Sequence, residues 1–232
     1  MFTGIVQSLG TLLEAADTGA GKRLVVALHD LASQPIAHGD SVCVNGVCLT
    51  VVSVAAGKAS FDAITETLNR STLGRKKNGD RLNLELSLRP DSFVGGHFLQ
   101  GHVDAIGTVK SIKQDASDFR ITFSFPPPFA PVIVPKGSIA VEGVSMTLAE
   151  VDPQAATFTL AVIPTTLNKT TLGTLKAGDA VNIETDILAR TVVHWLECIR
   201  SGQPEGAPPR EFLTGRAKPA VTIEKLQQLG FA

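Results

Sequence analysis

Short apolar runs broken by turn residues, rather than helical stripes, organise most of this chain. The runs are rich in Val, Ile, Thr and Phe, with Gly, Asn, Asp and Pro between them. That texture is the one expected of half-buried strands. In the first part of the chain it predicts strands near residues 4–13, 23–28, 41–44, 49–54, 59–64 and 80–85. Ala55-Ala56-Gly57-Lys58 and Asn78-Gly79 supply turns. Residues 67–73 predict one short helix, ended by Gly74 in the C′ position.

The same pattern then returns. Val44-Asn45-Gly46-Val47-Cys48-Leu49-Thr50 reappears 97 residues on as Val141-Glu142-Gly143-Val144-Ser145-Met146-Thr147. Thr67-Leu68-Asn69-Arg70-Ser71-Thr72-Leu73-Gly74 reappears 99 residues on as Thr166-Leu167-Asn168-Lys169-Thr170-Thr171-Leu172-Gly173. A repeat this long is a whole domain and not a solenoid unit. About six short strands per copy predict a small barrel, because closure removes the exposed edges of an open sheet. The expected fold is mainly β: two tandem six-stranded antiparallel β-barrels, residues 1–96 and 97–186, followed by a C-terminal α-helix. Arg89-Pro90-Asp91 breaks the strand pattern in the linker, residues 87–96.

After the second copy the period changes. Leu188, Val192, Trp195 and Ile199 form a stripe on one face of a helix over 187–202, with Asp186 as N-cap and Gly202 as stop. Two readings of the stripe stand open, an oligomer seam and docking back on the chain's own barrel. The tail, 203–232, is Pro- and Gly-rich at its start and expected to be mobile, with a short helix at 222–229.

Composition narrows the function. A net charge of −1 gives no reason to expect nucleic acid or an anionic membrane as partner. The apolar runs fall short of a membrane span, and Met1-Phe2-Thr3-Gly4 does not open a signal peptide. Three cysteines without framework or metal spacing fit a reduced, cytoplasmic protein. Cys43 reads as a small core residue. No metal site is expected, and no Ser-His-Asp arrangement, Walker A, CxxC or HExxH motif occurs.

Two copies of one layout imply two quasi-equivalent pockets, so polar residues that differ between copies are the place to look for chemistry. Ser41/Ser138, Thr50/Thr147, Thr67/Thr166, Asn83/Asn182 and Glu85/Glu184 are the same; singly, each could merely satisfy backbone groups. The unlike pairs are Phe2/Leu99, Ile5/His102, Gly39/Lys136, Cys48/Ser145 and Asp62/Ala161. Cys48 and Ser145 are both nucleophile-capable at one matched place. His102 follows Gly101 and offers acid/base chemistry. His97, in the linker, reads as structural.

The segments Met1–Val6, Asn45–Thr50, Phe61-Asp62 with Glu66-Thr67-Leu68, and above all Gly95-Gly96-His97 and Gly101-His102-Val103-Asp104 resemble the α-type riboflavin synthase family. The resemblance covers residues 1 to about 200. It implies riboflavin-synthase-like barrels and a helix that holds a homotrimer. The reaction implied is a four-carbon transfer between two molecules of 6,7-dimethyl-8-ribityllumazine, both bound in one active site. It gives riboflavin and 5-amino-6-(D-ribitylamino)uracil, and no cofactor is implied. Each active site would lie between the first barrel of one subunit and the second barrel of its neighbour. Association with the enzyme that makes the lumazine, lumazine synthase, is left open.

By position, the resemblance implies a first pocket of Gly4, Ile5, Val6, Cys48, Leu49, Thr50, Asp62, Ala63, Ile64, Thr65, Glu66 and Thr67. The second would use Gly101, His102, Val103, Lys136, Ser145, Met146, Thr147, Val162, Ile163, Pro164, Thr165 and Thr166, with Asp186 as a further carboxylate. Cys48, Ser41 and His102 are the implied catalytic residues. On this reading the barrel of Cys48 hosts the molecule that loses its four carbons, and His102 deprotonates or orients the other. Two positions depart from the family pattern: Leu86 stands where Arg is common, and Thr165 where Glu is usual. The alternative is a non-catalytic relative that binds a lumazine or flavin; the retained Cys48, Ser41 and glycine-histidine motif speak for the enzyme.

Overall fold

A computed structural model describes residues 1–115 and 118–200. Residues 1–190 form one compact unit that holds both barrels. The first barrel is built from β1 (Ser8–Asp17), β2 (Gly21–Ala27), β3 (Ser41–Val44), β4 (Val47–Ala55), β5 (Lys58–Ile64) and β6 (Arg81–Leu86). The second uses β7 (Ala105–Asp115), β8 (Asp118–Ser124), β9 (Ser138–Val141), β10 (Val144–Asp152), β11 (Thr157–Ala161) and β12 (Ala180–Thr185). Both are closed, and the six-strand order β1-β2-β5-β4-β3-β6 is repeated by its counterparts. Every ladder is antiparallel.

Alternation puts one set of side chains inside each barrel. Leu24, Val26, Val42, Val51, Phe61 and Leu84 fill the first; Ile121, Phe123, Ile139, Phe158, Leu160 and Ile183 fill the second. Each fully buried side chain of this size contributes about 1.5–3 kcal/mol. The bulge at Leu12/Glu14 recurs at Val109/Ser111, and that at Val51/Ser53 recurs at Leu148/Glu150. A bulge adds a residue to one strand and increases its bend, which closure needs.

The single helix expected at 67–73, and its counterpart, are each broken in two. A short helix α1 (Thr65–Arg70) gives way at Ser71, which is extended, and the chain resumes as a 3-10 turn, Thr72–Arg75. In the second half α2 (Pro164–Lys169) breaks at Thr170 before a turn at Thr171–Thr174. The hydroxyls of Ser71 and Thr170 donate to the carbonyls of Thr67 and Thr166 at 2.6 and 2.7 Å. They take the acceptors that the continuing helix would have used. Gly74 and Gly173 are therefore not C′ caps. Their role is close approach: a Cβ would fall 2.5 Å from the Leu68 carbonyl oxygen at Gly74 and 2.2 Å from that of Leu167 at Gly173.

The two barrels meet along an internal pseudo-twofold seam. Asn83 accepts from Thr171 N–H (2.8 Å) and donates to the Glu142 carbonyl (2.8 Å). Asn182 accepts from Thr72 N–H (2.6 Å) and donates to the Asn45 carbonyl (2.8 Å). The hairpin tips Asn45-Gly46 and Glu142-Gly143 pack backbone to backbone there, all four residues at positive φ. The first strand starts at Ser8 rather than near residue 4, because the residues before it serve the other barrel.

A third helix, α3, spans Ile187–Arg200. Asp186 caps it as expected, its Oδ1 accepting from Leu188 N–H at 2.9 Å. The expected stop at Gly202 and the helix at 222–229 lie outside the described residues. Among the described residues no helix is long and apolar enough to cross a membrane.

Candidate functional site

Two buried carboxylates fix the segments that lead into each barrel. Glu85 on β6 accepts from Thr3 N–H and hydroxyl (both 2.7 Å) and from Gly4 N–H (2.9 Å). Glu184 on β12 accepts from Gln100 N–H (2.6 Å) and Gly101 N–H (3.0 Å). Burial raises the pKa of both; Glu184, with Asp104 nearby, is pushed up to about 7. Phe2 and Leu99, both fully buried, pair as an antiparallel bridge between the two segments.

Each segment then crosses to the opposite barrel. The Gly4 carbonyl accepts from Ser145 N–H, and the Gly101 carbonyl from Cys48 N–H, each at 2.8 Å. Both glycines are left-handed, at φ +76 and +77, and a Cβ on either would fall 2.6 Å from the Cβ of the residue it faces. Val103 packs on the core of the first barrel and Val6 on that of the second.

The crossing redistributes the expected pocket residues. One cavity, of about 200 Å³, is lined by Val47, Cys48, Glu66, Thr67, Arg70, Gly101, His102 and Val103. A second cavity, of about 360 Å³, is lined by Lys136, Ser145, Met146, Thr147, Ala149, Ala161, Ile163 and Thr166. Gly101, His102 and Val103, expected beside Ser145, thus lie beside Cys48. Gly4, correspondingly, is against Ser145, with exposed Ile5 and half-buried Val6 following it.

Strand alternation sorts the remaining candidates. Leu49, Ala63 and Val162 point into the barrel cores. Cys48 and Thr50 stand on the outer face of β4, and Ser41 shares that face as the cross-strand partner of Thr50, without lining the cavity. Ile64 is exposed, and the Thr65 hydroxyl donates to the Ala20 carbonyl at 3.2 Å. Pro164 and Thr165 are exposed in the first turn of α2, and Asp186 caps α3. Asp62 is held by Arg23 in a two-pronged bond, both contacts 2.8 Å, that lowers its pKa. The matched Arg120 faces Ala161 across the ladder and bonds instead to Asp118 and Glu150.

Backbone and burial distinguish further pairs. Lys136 sits at φ +65 where its counterpart is Gly39 at φ +89. That conformation costs a residue with a Cβ about 1–2 kcal/mol, and such strain collects at functional sites. Cys43 is buried, and burial pushes its thiol well above the ordinary range, as suits an inert core residue; Cys48 is a half-buried free thiol. Val47, Arg70 and Ala149 also stand on the cavity walls, outside the expected set. His97, expected to be structural, places its Nδ1 2.7 Å from Ser145 Oγ. The glycines before His97 were the available signal.

The profile described as the lumazine binding domain matches residues 3–87 and again 100–186. Each match begins at the crossing segment and ends with its barrel. Riboflavin synthase of Chlamydia pneumoniae is 40% identical over 193 residues, 83% of this chain and 94% of that one. That of Mycobacterium tuberculosis is 40% identical over 194 residues, 83% of this chain and 96% of that one. The chain belongs to the riboflavin synthase family. Riboflavin synthases are transferases, so the chain is an enzyme. The fold has solved counterparts in LumP. The complex with 6,7-dimethyl-8-(1'-D-ribityl) lumazine has a TM-score of 0.71 at 25% identity, covering 80% of this chain and 99% of that one. The riboflavin complex matches with a TM-score of 0.71 at 28% identity over the same shares.

Proposed function

We propose that this riboflavin synthase family member dismutates two molecules of 6,7-dimethyl-8-ribityllumazine to riboflavin and 5-amino-6-(D-ribitylamino)uracil, the last step of riboflavin biosynthesis. The observation that carries the reading is one frame holding two unlike cavities, Cys48 and His102 at one, Lys136 and Ser145 at the other. Two identical molecules that play different parts need such a pair. Four carbons leave one molecule and join the other, so the atoms balance without oxidant, reductant or net water. The C7 methyl of the lumazine is acidic because its carbanion delocalises into the ring, so a modest base suffices.

With Cys48 and His102 at one cavity, the nucleophile and the proton carrier act on the same molecule. The Cys48 sulfur adds at C7 and is expelled again as thiolate as the four-carbon unit, cut from N5 and N8 of its own ring, is bonded to the other molecule. The protons lost from the methyl groups end on the pyrimidine product, and His102 carries protons in that exchange. Thr67 and Thr166 offer hydroxyls to the heterocycles. The second cavity holds the partner molecule, and holding two rings face to face replaces a bimolecular encounter.

We further propose a cytoplasmic homotrimer, each reacting pair held between the first barrel of one subunit and the second barrel of the next. A cavity of about 200 Å³ beside Cys48 is smaller than the 300–1,000 Å³ that usually encloses a small ligand, so a further wall is wanted. Helix α3 presents Leu188, Val192, Leu196 and Ile199 exposed, while Trp195 of the expected stripe is half-buried. Sedimentation equilibrium should return three chains per particle; a monomer at working concentration would sink the shared site. The reaction is tested by incubating the purified protein with the lumazine alone and following riboflavin absorbance. Tight binding without conversion would favour the non-catalytic alternative.

A further inference from the structure

His97 has no partner position in the first half, since the matched segments begin after it. Its placement beside Ser145 is nevertheless built. Gly96 runs so close that a Cβ would fall 2.1 Å from the Thr3 carbonyl oxygen and 2.8 Å from Ser145 Oγ. The His97 N–H donates to that same Thr3 carbonyl at 3.2 Å. The ring is then held to Ser145 Oγ through Nδ1 at 2.7 Å, while Nε2 is buried without a partner. Ser145 is itself pinned by its N–H to the Gly4 carbonyl. At Cys48 the equivalent backbone bond to Gly101 exists, but among the described residues no ring is hydrogen-bonded to the sulfur.

We propose that His97 is the positioning residue of the second cavity: its Nδ1–H donates to Ser145 Oγ, leaving the Ser145 proton free to point into the cavity, toward a carbonyl oxygen or ring nitrogen of the bound pteridine. The tautomer follows from the unpaired nitrogen. With the proton on Nε2, a buried N–H would lack an acceptor; with the proton on Nδ1, only a lone pair is unpaired, and orphaned donors are the rarer case. Burial lowers the ring's affinity for a second proton, opposed by the Asp186 carboxylate. No base takes the Ser145 proton, so Ser145 is a hydrogen-bond donor and not a nucleophile. Covalent chemistry then belongs to Cys48 alone, and the two cavities differ in kind.

The inference rests on the proposed reaction for the identity of its ligand, and one set of variants separates the two. Steady-state kinetics with the lumazine and riboflavin binding by fluorescence are measured for the wild type, Ser145→Ala, His97→Ala, His97→Asn and the double alanine variant. Each single alanine change should cost about tenfold in kcat/KM and in riboflavin affinity, the size of one lost hydrogen bond to a ligand. The double variant should be no worse than either single one, and His97→Asn, whose amide reaches the Nδ1 position, should recover most of the loss. Multiplicative losses, or a His97→Ala variant that loses only thermal stability, would overturn the proposal. If the wild type binds riboflavin but does not turn over, the reaction fails while the binding cycle still decides the dyad. Nitrogen-15 NMR should find the His97 proton on Nδ1; a proton on Nε2 overturns the donor assignment.

Discussion

The two barrels share a backbone down to their bulges and crossing glycines, and they part company in the side chains at the cavity edges. Asn83 and Asn182 make reciprocal bonds across the seam, Glu85 and Glu184 hold equivalent segments, and Gly4 and Gly101 make equivalent approaches. Against that frame, Cys48 shares its cavity with His102 without a ring hydrogen bond among the described residues, while Ser145 is bonded to His97; Arg23 is tied to Asp62 while Arg120 faces Ala161. At the seam Asn45 Nδ2 donates to Glu142 Oε2 at 2.5 Å, and Thr72 donates to the other carboxylate oxygen at 3.1 Å. The symmetric contacts are those that hold the fold together. Departures from symmetry occur in both places, Cys48 against Ser145 at the cavities and Asn45 against Glu142 on the seam.

The harshest way to break the comparison is at the crossing glycines. Gly101→Ala and Gly4→Ala should each cost about 3 kcal/mol in urea unfolding, from a Cβ driven against opposing backbone and a left-handed φ. Their costs should agree to within about 1 kcal/mol, since the two surroundings match; a wide gap would show that the crossings are not equivalent. Each should also empty a different cavity, Gly101→Ala that of Cys48 and Gly4→Ala that of Ser145.

The buried carboxylates sharpen it next. Glu184 is raised from 4.5 to about 7. The folded state therefore holds this proton more tightly than the unfolded one. The contribution is complete below about pH 4.5 and is lost as pH rises to 7, about 3 kcal/mol in all. Glu184→Gln should lower stability at pH 5 yet flatten the decline toward pH 8. Unfolding midpoints over that range that fall as steeply in the variant as in the wild type would refute this.

Smaller effects are expected at the edges. Lys136→Gly should stabilise the chain by up to about 1 kcal/mol by relieving the left-handed backbone, while raising the KM for the lumazine. Gly39→Lys should show the opposite stability effect, so calorimetry on the two tests whether the positions are truly matched. Asp62→Ala, which copies the Ala161 environment, should leave the thermal midpoint unchanged and alter only ligand affinity. A large fall in the midpoint would mean that the Arg23 pair is structural.

Much of this was legible in the chain. Short apolar runs located the strands of the first barrel and the repeat carried them to the second, and Asp186 was recognisable as a cap because its side chain acts two residues away. The broken helices were not, since Ser71 and Thr170 turn the chain with help from Asn182 and Asn83 of the other barrel. Family likeness marked contiguous segments such as residues 62–67, whereas Ala63 on β5 points inward and Thr67, on α1, stands on the cavity. The crossing was invisible for a further reason. Gly4 and Gly101 are matched by the repeat, and a repeat says which positions are alike without saying which barrel each one touches.

That exchange bears on how the chain is made. The seat of Gly4 is the N–H of Ser145, on a strand synthesised more than half a chain later. As domains fold in the order they leave the ribosome, the first barrel can close its sheet and Glu85 can hold Thr3 and Gly4, while the Gly4 carbonyl and the Val6 side chain still lack their seats in the second barrel. They wait for β10, and the long loop that closes then is the kind that slows folding. Residues translated first are thus among the last to complete their contacts.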